Sequence, residues 1–206
     1  MFDWLRKKSR WTAAADRLYA ECVRAGREPL FYQDFGVPDT LDGRFDMIVL
    51  HVALMIRRLS RERLDGRDLS QVLFDRLFVD MDRSVREIGV GDLSVARHVR
   101  RMMEAFNGRL ARYDRALTAS DRVALREALK DNIYGTIDAP PADGLTALTL
   151  YTRVCARILD SAEMAAFVRG EVRFTGLTPR EPLQTPVSSD ETQEERRTRP
   201  GMVANG

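Results

Sequence analysis

Apolar residues recur along this chain with the period of an α-helix almost throughout. Trp11, Ala14, Ala15, Leu18, Tyr19, Cys22 and Val23 fall at helical spacing. They draw one stripe down a helix that Gly26 ends. Pro29 to Phe35 reads as a short helix. Gly36 to Asp39 reads as a turn, because Pro38 disfavours the helical conformation at Val37. The next long helix starts near Thr40 or Asp42 and runs to about Arg61. Phe45, Ile48, Val49, Val52, Met55, Ile56 and Leu59 form its stripe, and Leu50 and Leu54 make its other faces apolar too. A helix apolar all round belongs at the centre of a fold.

Asp68 or Ser70 caps a helix to about Ile88, with Phe74, Leu77, Phe78, Met81 and Val85 inside. Gly89 to Gly91 ends it. Asp92 caps another to about Leu117, with Ala96, Val99, Met103, Phe106, Leu110, Tyr113 and Leu117 inside. Gly108 falls within it at a cost of about 1 kcal/mol relative to alanine. A close helix crossing there is the expected reason. Ser120–Tyr134, Asp143–Leu159 and Ser161–Val168 complete the helices, with Pro140 and Pro141 as a break. No stretch alternates with period two. The expected fold is all-α, a single domain of about six or seven helices.

Composition adds limits. The chain has 206 residues and 8 prolines. Four of those prolines lie after Leu177, in a stretch without aromatic residues. Such a stretch cannot bury enough apolar surface to offset its ordering entropy. The expected organisation is a basic and aromatic segment at 1–10, a helical domain at 11–177 and a disordered tail at 178–206. The 33 basic and 31 acidic residues leave a net charge of +2, too balanced for general nucleic-acid affinity. No specific DNA binding is expected. Lysine occurs only at Lys7, Lys8 and Lys130, and arginine supplies the rest. Cys22 and Cys155 lie far apart at apolar helical positions, as reduced core thiols do in a reducing compartment. No signal peptide or spanning segment is visible, so a cytoplasmic location is expected, with attachment to the inner face of a membrane as an option.

Candidate chemistry is sparse. The chain has no Walker loop, GxGxxG, GxSxG or HExxH. With two histidines, His51 and His98, no histidine-rich metal site can form, and Asp80, Asp82 and Glu87 are explained by i,i+4 pairing with arginines. No catalytic residue, metal or cofactor is expected. His51 lies in an apolar run and needs a partner for its ring N–H if buried. Core packing and a binding role both stay open for it. The basic clusters Arg57, Arg58, Arg61, Arg63 and Arg97, Arg100, Arg101 are expected to form solvated faces. At the N-terminus Phe2, Trp4 and Trp11 interleave with Arg6, Lys7 and Lys8. That mixture suits weak contact with a membrane surface, or packing of the two tryptophans on the domain.

Three strings go beyond periodicity. They are FYQDFGVPDTLDGRFD at 31–46, DMDRSVREIGVGD at 80–92 and MEAFNGR at 103–109, the last followed by Tyr113. Together they resemble the ubiquinol–cytochrome c chaperone family over roughly Leu18 to Leu177. The resemblance implies an assembly factor of the cytochrome bc1 complex that holds newly made cytochrome b, or another subunit of that complex, before the complex assembles. Mitochondrial relatives act with a small partner near the ribosome exit. A chain this short, without a long targeting extension, is expected to be a bacterial, alphaproteobacterial version.

Such a chaperone needs an apolar or aromatic groove with a polar rim. Phe31, Tyr32, Phe35, Val37, Pro38, Asp39, Arg44 and His51 are the candidate client residues, on the expectation that the short helix displays its rings. The alternative is a fixed corner, in which Asp39 or Thr40 caps, Asp42 pairs with Arg44, and Gly43 permits close packing. Two other functions stay open. One is a helical carrier of haem or quinone around His51. The other is a peripheral membrane adaptor attached through Phe2 to Trp11.

Overall fold

The computed structural model describes residues 2–87 and 92–174, with backbone only at 2–10, 64, 84–87 and 92–99. The described residues form helices α1 (Phe2–Gly26), α2 (Pro29–Gln33), α3 (Leu41–Ser60) and α4 (Leu64–Glu87). Helices α5 (Asp92–Thr118), α6 (Arg122–Ile133), α7 (Ala142–Ser161) and α8 (Met164–Arg169) follow. No strand occurs among them, and the all-α expectation holds. Helix α1 runs unbroken through the boundary expected at residue 10. The tail expected at 178–206 lies outside the described residues.

Helix α3 is the axis of the fold. It contacts α1, α4, α5, α6 and α7, and every residue from Met47 to Leu59 is buried. The stripe of α1 packs there too, with Leu18 and Cys22 fully buried and Trp11 only 2% exposed. The buried run of α3 includes two cations that the sequence places on a solvated face. Arg57 binds Asp160 at 2.9 Å and Asp114 at 3.2 Å. Arg58 donates to the carbonyls of Leu159 at 3.0 Å and Ala162 at 3.1 Å. These close the C-terminus of α7, where a cation also meets the negative end of the helix dipole. Periodicity sees only the charge; the burial comes from a helix about a hundred residues away.

Gly108 corrects a second expectation. A Cβ built there meets nothing within 4 Å, so no close crossing explains this glycine. At Gly43 the close approach is real. A Cβ there would lie 2.0 Å from the Pro38 carbonyl oxygen. Only glycine lets the chain double back over the start of α3.

Candidate functional site

The segment from Pro29 to Asp46 makes a sharp corner between α1 and the core helix α3. Pro29 opens α2, where its missing N–H costs nothing. Gly36, at φ +67°, turns the chain, and the Val37 N–H donates back to the Phe31 carbonyl at 2.9 Å. Thr40, not Asp39, caps α3: its Oγ1 accepts from the Gly43 N–H at 3.1 Å. Arg44 pairs with Asp39 rather than Asp42. Residues two apart on a helix do not face each other, whereas Asp39 lies outside the helix and folds back over it. The hydrogen bond from Arg44 holds the exposed Asp39 carboxyl below its ordinary range.

The rings behind the corner are core rather than display. Phe31 is fully buried, Val37 is 2% exposed, and Phe35 and His51 are buried with them. Phe31 meets Tyr151 edge-on at 5.0 Å and Phe35 edge-on at 5.8 Å. His51 lies edge-on to Phe174 at 4.7 Å. Its Nδ1–H donates to the Met47 carbonyl at 2.7 Å. Because a carbonyl can only accept, Nε2 must accept, and it does so from the Tyr151 hydroxyl at 2.7 Å. Burial lowers the His51 pKa to about 4, against a smaller opposing effect of the Met47 bond. The imidazole is neutral and fully satisfied. A haem iron would have to displace one of these two bonds.

What remains accessible is the outer face. Tyr32 is half-buried, and its hydroxyl donates to the Gly26 carbonyl while the Arg44 guanidinium stands 5.7 Å from its ring centre. Burial pushes the Tyr32 pKa up to about 12. Pro38 is half-buried, and Asp39 and Arg44 are exposed. On this side Arg27, Pro29, Tyr32, Gln33, Asp39 and Arg44 line a polar hollow of about 240 Å³.

The other side of the same turn holds a cleft of about 280 Å³ that the sequence does not reveal. Phe45 and Val49 of α3, Met81 of α4, and Met102 and Phe106 of α5 form its apolar wall. Asp46 and Arg109 are paired within it. Burial raises the Asp46 carboxyl, and the attraction of Arg109 only partly offsets that. Leu41, the first residue of α3, is 68% exposed. The cleft joins three helices, and only the paired charges at otherwise apolar helix faces hint at it in the sequence.

Trp11 is buried in the core, so it belongs to packing and not to a membrane-facing surface. The side chains of Phe2, Trp4, Arg6, Lys7 and Lys8 lie outside the described residues. Among the described residues no helix is long and apolar enough to cross a membrane.

Residues 33–174 match the family described as ubiquinol-cytochrome C chaperone. The chain belongs to the ubiquinol-cytochrome C chaperone family. A crystal structure of the Cbp3 homolog from Brucella abortus superposes with a TM-score of 0.75 at 33% identity, covering 85% of this chain and 96% of that one. Curated relatives carry the name ubiquinol-cytochrome c reductase complex assembly factor 1. The Xenopus laevis protein is 24% identical over 76% of this chain and 78% of its own length. The mouse protein is 26% identical over 85% of this chain, which spans 60% of that relative's length. The chaperone-family match takes in α3 to α8, and with them the turn of α3 and the whole cleft. It leaves out all of α1 and all but the last residue of α2. The family is one of assembly factors of ubiquinol-cytochrome c reductase.

Proposed function

We propose that this chain is a non-enzymatic chaperone that holds newly made cytochrome b while the cytochrome bc1 complex is assembled. The observation that carries this reading is the apolar cleft beside the first turn of α3. Methionine walls adapt to different side chains, and an apolar groove with a charged rim is how proteins take up one face of a helix. Both ring nitrogens of the buried His51 are already engaged, which favours projecting side chains over a haem. The client face then comprises Leu41, Phe45 and Met102, with Tyr32, Pro38, Asp39 and Arg44 as its flank. In this reading the protein works on the cytoplasmic side of the bacterial inner membrane, near the ribosome exit, with Phe2 to Lys8 as a weak attachment.

The test replaces Met102 by a photo-crosslinking amino acid in host cells blocked in bc1 assembly, with exposed Glu127 as the control position. Cytochrome b crosslinked from position 102 and not from 127 is the expected result. Equal or absent crosslinking from both, with cytochrome b present, overturns it.

A further inference from the structure

Three arginines gather where α6 meets α7, and nothing in the client reading uses them. Arg153 and Arg157 stand one helical turn apart on α7 and line a cleft of about 80 Å³ with Leu117, Ser120 and Asp121. Arg122 is the first residue of α6. Each placement is locally unfavourable. Like charges at i,i+4 repel, and a cation at a helix start faces the positive end of the dipole. Burial, then the charges of Arg122 and Arg157, hold the Arg153 guanidinium below its ordinary range.

The carboxylates of Asp121 and Asp160 line the same cleft, with Arg57, and both are already engaged. Asp160 is held by Arg57 at 2.9 Å. Asp121 caps α6 by accepting from the Ala124 N–H at 2.9 Å. No salt bridge with a described residue involves Arg122, Arg153 or Arg157. The next residue after Arg122 is Val123, 73% exposed and the most exposed large apolar side chain among the described residues.

We propose that Arg122, Arg153 and Arg157, together with the exposed Val123, form a docking surface for an anionic membrane. Lipid phosphates would relieve the mutual repulsion of the three guanidiniums, while Val123 enters the boundary between headgroups and acyl chains. The exposed valine is what favours a bilayer over a nucleic acid, which would leave that side chain in water. The surface is built by α6 and α7 and is independent of the N-terminal residues.

Flotation of the full chain tests this, using vesicles of phosphatidylcholine mixed with phosphatidylglycerol against phosphatidylcholine alone. A basic residue at an anionic surface is worth about fivefold in partitioning, so three are worth roughly a hundredfold. The combined variant Arg122→Gln, Arg153→Gln, Arg157→Gln should lose binding by that factor. The charge-matched variant Arg63→Gln, Arg67→Gln, Arg101→Gln, taken from exposed positions of the α3–α4 connection, α4 and α5, should lose little. Val123→Ser should weaken binding while leaving its salt dependence unchanged. Thermal melts confirm that each variant is folded. Equal losses in the two triple variants, or wild-type protein that ignores anionic vesicles, overturn the proposal. So does single-stranded RNA binding that the first triple abolishes in a protein that does not float.

Discussion

Replacing Phe31 by alanine removes a ring with no exposed surface that touches three others: Tyr151 at 5.0 Å, Phe35 at 5.8 Å and His51 at 5.9 Å between centres. Truncating a buried phenylalanine costs about 3–5 kcal/mol. Aromatic pairs add about 0.5–1.5 kcal/mol each beyond burial, which puts this site at the upper end. For a domain of this size each kcal/mol moves the melting temperature by about 2–4 °C, so the fall is about 6–20 °C. Thermal melts followed by circular dichroism measure the fall and urea unfolding the free energy, with Phe31→Leu as the conservative partner losing less than half as much. Tyr32→Ala is the contrast. Its ring is half-buried and its hydroxyl makes one bond to the Gly26 carbonyl, so the loss is about 1–2 kcal/mol. A Phe31→Ala protein within about 1 kcal/mol of wild type would refute the placement of this ring in the core. It would restore the idea that α2 displays it.

Three further outcomes follow from the same geometry. Gly43→Ala puts a Cβ 2.0 Å from the Pro38 carbonyl and should destabilise by about 1–3 kcal/mol; an unchanged melting temperature would contradict the doubled-back corner. His51 has a folded pKa of about 4 against about 6.5 when unfolded. The unfolded chain therefore takes the proton first, and stability is unaffected above pH 6.5. It falls by about 2 kcal/mol at pH 5 and by about 3 near pH 4, and His51→Gln, measured by urea titration at each pH, should lose this part of the slope. Burial alone would raise the Glu21 carboxyl, but hydrogen bonds from Arg24 and the Phe174 N–H outweigh that and lower it. Glu21→Gln should cost about 2 kcal/mol at pH 7, and the gap to wild type should close in acid as the wild-type carboxylate protonates.

The sequence carries α3 clearly, because Met47 to Ile56, His51 apart, is apolar on every face and only a central helix can bury that. It carries the corner as well, since Pro38 restricts the backbone, Gly36 and Gly43 allow a turn and an approach that other residues do not, and Thr40 is a ready helix cap. It fails where a partner is distant. Nothing near Arg58 announces that it closes the end of α7, and nothing near Phe31 announces Tyr151. The cleft is the clearest case. Phe45, Met81 and Phe106 each read as one more residue of an apolar stripe, and only the packing of three helices leaves a hollow between them. Gly108 fails differently: a local oddity invites a structural reason, and the fold supplies none.

The placement of the proposed client face has a physical logic. Helix α3 is held on all sides for thirteen residues, from Met47 to Leu59, so its first turn is the protruding end of a rigid rod. Phe31 holds the corner that leads into that turn, through the Val37 N–H and the rings of Phe35, His51 and Tyr151. Glu21 fastens the closing segment over them by accepting from the Phe174 N–H at 2.9 Å. A face mounted in this way loses little conformational freedom when a client docks, and that saving counts directly toward affinity. Adaptability then has to come from the walls. Met81 and Met102 provide it, because an unbranched thioether changes rotamer without moving the backbone. The consequence separates two kinds of damage. Loosening the anchor, as at Phe31 or Glu21, should weaken every client segment alike and lower stability with it. Changing Met102 to a stiff β-branched residue should leave stability nearly untouched and narrow the set of segments that bind.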